Sequence, residues 1–165
     1  MKLLDCLIIR QPYASLIVYG VKRWEFRSYI SEKKGRIAIA ASKNPPIRTS
    51  DTKLNVATKR FPRGVVLGTA NLVRSFPVTH ENLKQKFKCC QTVIIHGQEF
   101  TVACEPIGEP PEDIKLALAR KNWEKFAWEL SNVKPLPRPI EYPPSHGSSW
   151  TKVDLKREVD LTSFM

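Results

Sequence analysis

No stretch of this 165-residue chain stays apolar for the ~18 residues that a membrane-spanning helix requires. The N-terminal run MKLLDCLIIRQPYASLIVYG comes nearest. Asp5, Arg10 and Gln11 interrupt it, and no small-residue cleavage site follows, so it does not read as a signal peptide. The expectation is a soluble protein that stays where it is made, in the cytoplasm, with the nucleus also open to it. Histidine is scarce: His80, His96 and His146 stand apart, none with a partner at metal-ligand spacing. Four cysteines, Cys6, Cys89, Cys90 and Cys104, make a vicinal pair and two distant singles. That is neither a Cys-x-x-Cys zinc pattern nor a disulfide framework. No metal and no cofactor is expected.

Acidic charge is also short, with 16 Asp and Glu against 27 Lys and Arg, for a net charge of +11. The excess is uneven. Residues 1–60 hold 13 basic against 4 acidic side chains, residues 61–104 hold 5 against 2, and residues 105–165 hold 9 against 10. The basicity therefore belongs to the front of the chain, where a polyanion would be drawn in and its counterions released. Nucleic acid is the preferred partner; a merely basic surface or an acidic protein partner is the alternative.

What is present is enough to fold: 42% hydrophobic and 9% aromatic residues support one core, and the length suits one domain over residues 1–165. Residues 3–9 form an apolar run of strand length. Pro12 then opens a short helix over 12–19, with Tyr13, Leu16, Ile17 and Gly20 at helical offsets and Gly20 as its C-terminal cap. Residues 23–28 alternate charge and aromatic with a period of two, the mark of a half-buried strand. Further strands are expected at 35–41 and 64–75, the latter with a bulge or bend at Gly68. Residues 42–63 read as a surface excursion with room for a helical turn. A short helix over 79–87, a hairpin over 91–104 turning at His96-Gly97, a helix over 111–125 and a strand over 126–133 follow. The proline-rich stretch 135–144 is expected to wrap the surface, and 149–155 to close the sheet. Together these predict one small mixed or closed barrel with helical decoration.

Collinear motifs then become specific. Arg10-Gln11-Pro12-Tyr13-Ala14-Ser15-Leu16, followed by Gly20-Val21-Lys22-Arg23-Trp24-Glu25-Phe26-Arg27, resembles the signature of the ASCH (activating signal cointegrator homology) family. Residues 35–42, 62–71, Phe126-Ala127-Trp128-Glu129-Leu130 and Lys134-Pro135-Leu136 resemble its later segments in the same order. The resemblance implies an α+β, PUA-like small β-barrel with flanking helices around a cleft, in a family whose relatives bind RNA. Some branches are enzymes: one hydrolyses the acetyl amide of acetylated cytidine, and another member is a ribonuclease.

Lys22, Glu25 and Arg27 are the leading candidate residues. Glu25 and Arg27 lie two apart on a strand, so they share a face and can pair. Lys22, just past the capping glycine, is expected to be partly exposed and to point into the cleft. One carboxylate and two cations suit a nucleotide's phosphates, carbonyls and amines. Tyr13 is a candidate base-stacking ring, though core packing suits it as well. Trp24 and Phe26 face the other way, toward the core. Arg10, Arg23, Lys33, Lys34, Arg36 and Lys43 are candidate phosphate contacts. A catalytic version would use Lys22 as base or nucleophile and Glu25 as proton shuttle. The acetylcytidine branch, however, has a hydroxyl residue at the position of Glu25, and no histidine lies near the motif in sequence. The expected function is thus binding of RNA or single-stranded nucleic acid, with DNA also open. An amidohydrolase or ribonuclease is the alternative, and a protein-interaction adaptor the third.

Overall fold

A computed structural model describes residues 3–49, 51–79, 90–103, 126–145 and 147–155. The strands are β1 (Leu4–Ile9), β2 (Trp24–Arg27), β3 (Gly35–Ala41), β4 (Val65–Pro77), β5 (Cys90–Ile95), β6 (Gln98–Ala103), β7 (Phe126–Glu141) and β8 (Trp150–Val153). The helices are α1 (Tyr13–Val18) and α2 (Thr52–Thr58). Six strands make one sheet in the order β2-β7-β4-β3-β1-β8. Only β1 and β3 run parallel; the other pairs in it are antiparallel.

The parallel pair explains the unbroken apolar runs LDCLII and GRIAIAA. Both faces of these central strands are covered, so both parities are apolar. Leu7, Ile9, Ile37, Ile39 and Ala41 pack with Ala14, Ile17 and Val18 of α1, and with Leu67, Leu72 and Trp128. Cys6, Ala38 and Ala40 turn to the other side, against Val66, Val153 and Leu155.

Helix α1 ends as its glycine dictates. Gly20 takes φ +81°, its N–H reaches the Ile17 carbonyl at 2.9 Å, and the Val21 N–H reaches the Leu16 carbonyl at 2.8 Å. These paired bonds are the Schellman motif, and Leu16 and Val21 add its customary apolar contact. At Gly68 the reason for glycine is space. A Cβ there would lie 2.1 Å from Val18 Cγ1 and 2.5 Å from the Lys134 carbonyl oxygen. The β4–β7 register also shifts between Val66 and Gly68, so the expected bulge is present. The excursion over 42–63 contains α2, whose N-cap Asp51 accepts from the Leu54 N–H at 3.0 Å.

Three expectations need correction. The sheet is not a closed barrel: β2 and β8 are its edges. The hairpin does turn at His96-Gly97, both at positive φ, as a two-residue hairpin connection prefers. It forms a separate two-stranded sheet, β5-β6, that packs on α1 and α2 through Ile95 and Phe100. Finally, the strand at 126–133 does not stop there but runs to Glu141 through the proline-rich stretch. Proline is tolerated because β2 pairs only with Phe126 to Glu129. Beyond that point one side of β7 has no strand neighbour among the described residues, so a missing N–H there costs no ladder bond between them. The helices expected over 79–87 and 111–125 fall on residues outside those described.

Candidate functional site

Strand β2 carries Glu25 and Arg27, and pairs with β7 so that Glu25 stands opposite Trp128. The expected side-chain pair forms. Arg27 donates to Glu25 Oε2 from Nη2 at 2.9 Å and from Nε at 3.2 Å. The same guanidinium spans the gap between the two edges of the sheet. Its Nη1 donates to Ser149 Oγ at 3.0 Å, beside β8, and its Nη2 to the Ile8 carbonyl at 3.2 Å, on β1. Arg27 thereby ties together edges that no backbone ladder joins among the described residues.

Lys22 arrives from the α1 cap, where its N–H bonds to the Leu16 carbonyl at 3.0 Å. Its ammonium lies 3.7 Å from Glu25 Oε1. It also lies 4.8 Å from the Tyr13 ring centroid and 5.0 Å from that of Phe26. Glu25 thus has a cation beside each oxygen, an ion pair with Lys22 at Oε1 and hydrogen bonds from Arg27 at Oε2. Lys22 is not the partly exposed side chain expected: it is 1% exposed. Two aromatic faces and a carboxylate replace the water that an ammonium requires. Trp24 is buried, as expected of a core residue, whereas Phe26 is only half-buried and covers the lysine. Beside the cluster lies a depression of about 340 Å³, lined in part by Lys22, Arg23, Arg74, Glu129 and Asn132. Arg74 and Glu129, facing each other on β4 and β7, pair at 2.9 Å.

The remaining candidates are dispersed. Tyr13 joins the Lys22 cluster as one wall. Arg23 is exposed on the rim of the depression. Arg10 is exposed and donates from Nε to the Pro45 carbonyl at 2.9 Å. Arg36 is committed internally, to Asn71 Oδ1 at 3.2 Å, the Asn132 carbonyl at 2.6 Å and Thr69 Oγ1. Burial lowers its pKa. Lys43 is exposed, with its ammonium 6.0 Å from the Tyr142 ring. Cys6 is a free thiol whose pKa burial pushes up to about 12, which makes it inert as a nucleophile.

One pair escaped the sequence reading. His96 Nε2 lies 2.7 Å from Ser15 Oγ, although 81 residues separate them. The ring also meets Tyr19 and Phe61 edge-on. The distance is that of a nucleophile and its base, but Ser15 is fully buried, so the pair anchors the hairpin to α1. Only the His96-Gly97 turn signal hinted at it.

The profile of the ASCH domain family matches residues 7–140. Mouse activating signal cointegrator 1 is 36% identical over 128 residues, covering 67% of this chain and 22% of the mouse protein. The human protein of the same name is 33% identical over 94 residues, covering 50% of this chain and 16% of the human protein. The chain therefore corresponds to a minor part of those longer proteins. Among solved structures, ASCH from Zymomonas mobilis matches with a TM-score of 0.55 at 19% identity, over 96% of this chain and 93% of that one. A point variant of it matches at 0.51 and 18% identity, over 98% and 96%. At such identity the likeness concerns the fold, a sheet-rich domain with few helices.

Proposed function

The chain belongs to the ASCH domain family, and on that premise we propose that it binds RNA or another single-stranded nucleic acid through the basic face supplied by its first 60 residues. The observation that carries this reading is the charge distribution: 13 basic against 4 acidic side chains over residues 1–60, and near balance after residue 104. Condensed counterions released from phosphates supply most of the affinity of such a face.

The buried cluster has a defined part in this reading. Lys22 and Glu25 hold Arg27 and Tyr13 in fixed positions, so the exposed parts of those two side chains meet a ligand without first losing rotamer freedom. Arg23 and Lys43, both exposed, add phosphate contacts. Arg36 supports the sheet through Asn71, Asn132 and Thr69.

The test is a fluorescence-anisotropy titration of a single-stranded RNA oligomer at several salt concentrations. Binding that weakens steeply as salt rises supports the proposal; no binding at low salt overturns it. Multiple-turnover release of acetate from acetylcytidine, or of cleaved oligonucleotide, would replace it with the hydrolase reading.

A further inference from the structure

Where β2 ends, the chain bends through Ser28 and leaves two large apolar side chains in solvent: Tyr29 at 46% and Ile30 at 53% exposure. Exposed apolar residues are ordinary when mobile and scattered. These two are neighbours, and Tyr29 is held. Its carbonyl accepts from Trp128 Nε1 at 2.9 Å, and its ring meets Trp128 at 5.3 Å and 78°. In an edge-to-face contact Trp128 touches either the edge of Tyr29 or one of its faces, so at least one full face of the tyrosine stays clear of it. Trp128 is itself fully buried and stacked on Trp150 at 5.9 Å. Tyr29 is therefore a half-exposed ring, anchored through its backbone and one edge-to-face contact, with one face clear of Trp128.

Its surroundings are cationic. The guanidinium of Arg27 lies 5.8 Å from the same Trp128 ring, and the ammonium of Lys33 lies 5.4 Å from Trp150. Lys33 is also paired with Asp5 at 3.4 Å, and Lys34 is exposed. Over residues 27–36, Glu32 is the one acid against Arg27, Lys33, Lys34 and Arg36. A π face among cations fits a nucleobase that carries its phosphate alongside. Tyr29 lies four positions after Glu25, at most about 14 Å of extended backbone. That puts the cluster and the ring within reach of successive nucleotides on one strand.

We infer that Tyr29 is a base-stacking platform, and that the ligand of this face is a short single strand of two or more nucleotides, not a lone nucleoside. The inference rests on the nucleic-acid reading above and adds to it the minimal ligand and the side chain that sets it. The exposed tyrosine stacks one base, and the basic cluster around Arg27 takes the adjacent phosphate.

The experiment compares the intact protein with Tyr29→Leu and Tyr29→Phe. Its probes are a mixed-sequence RNA hexamer, the same hexamer carrying 2-aminopurine, and the four nucleoside monophosphates. Tyr29→Leu is expected to weaken hexamer binding by about tenfold or more, the size of one lost base stack, and each monophosphate, which offers a single base and phosphate, is expected to bind the wild type more weakly than the hexamer does. Tyr29→Phe keeps the ring and retains affinity. The 2-aminopurine fluorescence is quenched on binding to the wild type and to Tyr29→Phe, but not to Tyr29→Leu. Equal hexamer affinity for wild type and Tyr29→Leu overturns the inference while leaving the nucleic-acid reading standing. So does unquenched fluorescence in the saturated wild-type complex, which requires no variant to fold. Failure of the wild type to bind the hexamer at low salt removes both.

Discussion

Glu25 is the residue on which the cluster turns, because both cations depend on its two oxygens. Its replacement by glutamine removes the carboxylate charge beside the buried Lys22 ammonium and weakens the hold on Arg27. The expected cost is about 2–4 kcal/mol, less than for a wholly buried pair because Arg27 is partly exposed. It would appear as a lower urea midpoint with an unchanged slope. Lys22 separates size from charge. Lys22→Ala empties the space between Tyr13 and Phe26 as well as removing the charge, with an expected loss of about 2–4 kcal/mol. Lys22→Met keeps the stem and is expected to cost about half as much. Equal midpoints for Lys22→Ala and wild type would show that the buried ammonium contributes nothing to the fold. A binding defect in Lys22→Ala alone says little about function, and the methionine variant is the one to compare in RNA titrations.

At the scale of elements, the packing of α1 against the sheet depends on the missing side chain at position 68. Gly68→Ala drives a methyl group into Val18 and the Lys134 carbonyl, so α1 or β7 must shift. About 1–3 kcal/mol is the usual cost of such overpacking, read as a fall in Tm. The β5-β6 hairpin offers a pH test. Burial lowers the pKa of His96 below the ordinary histidine value of 6.5, so the folded state holds the ring neutral. As pH falls through about 6.5 the unfolded chain takes up the proton first, and stability is lost toward acid. Wild type is therefore expected to lose more stability between pH 7.5 and pH 5.5 than His96→Gln, compared by urea midpoint at each pH. Parallel pH profiles for the two proteins would contradict the placement of His96 against Ser15 and Tyr19.

For the whole molecule, the uneven charge predicts the form of the salt dependence. A single strand contacted at about four phosphates gives a slope near −3 in log K against log salt. Reversing exposed cations at Arg23 and Lys43 together should flatten it by about 1.4, at ~0.7 per phosphate. A wild-type slope near zero would leave the basic front of the chain with no polyanion to explain it. Much of this protein was legible in one dimension. Period-two alternation located β2, a proline and a glycine bracketed α1, and His96-Gly97 marked the hairpin turn. The two-residue spacing of Glu25 and Arg27 put them in one pair. Each of these is a local property, set by φ preference, side-chain direction or hydrophobic period within a few residues. The length of β7 was not legible, because proline is excluded from a strand only where a neighbour needs its N–H, and that neighbour is far away in sequence. The burial of Lys22 escaped for the same reason: its two aromatic walls come from α1 and β2, and a lysine's exposure depends on what folds over it. The open sheet bridged by Arg27, the detached hairpin and the Ser15–His96 contact are likewise long-range facts. Local sequence determined the elements and the charge, whereas the contacts between distant segments, which depend on how the long strands β4 and β7 bring them together, decided what is buried, what is paired and what is left open for a ligand.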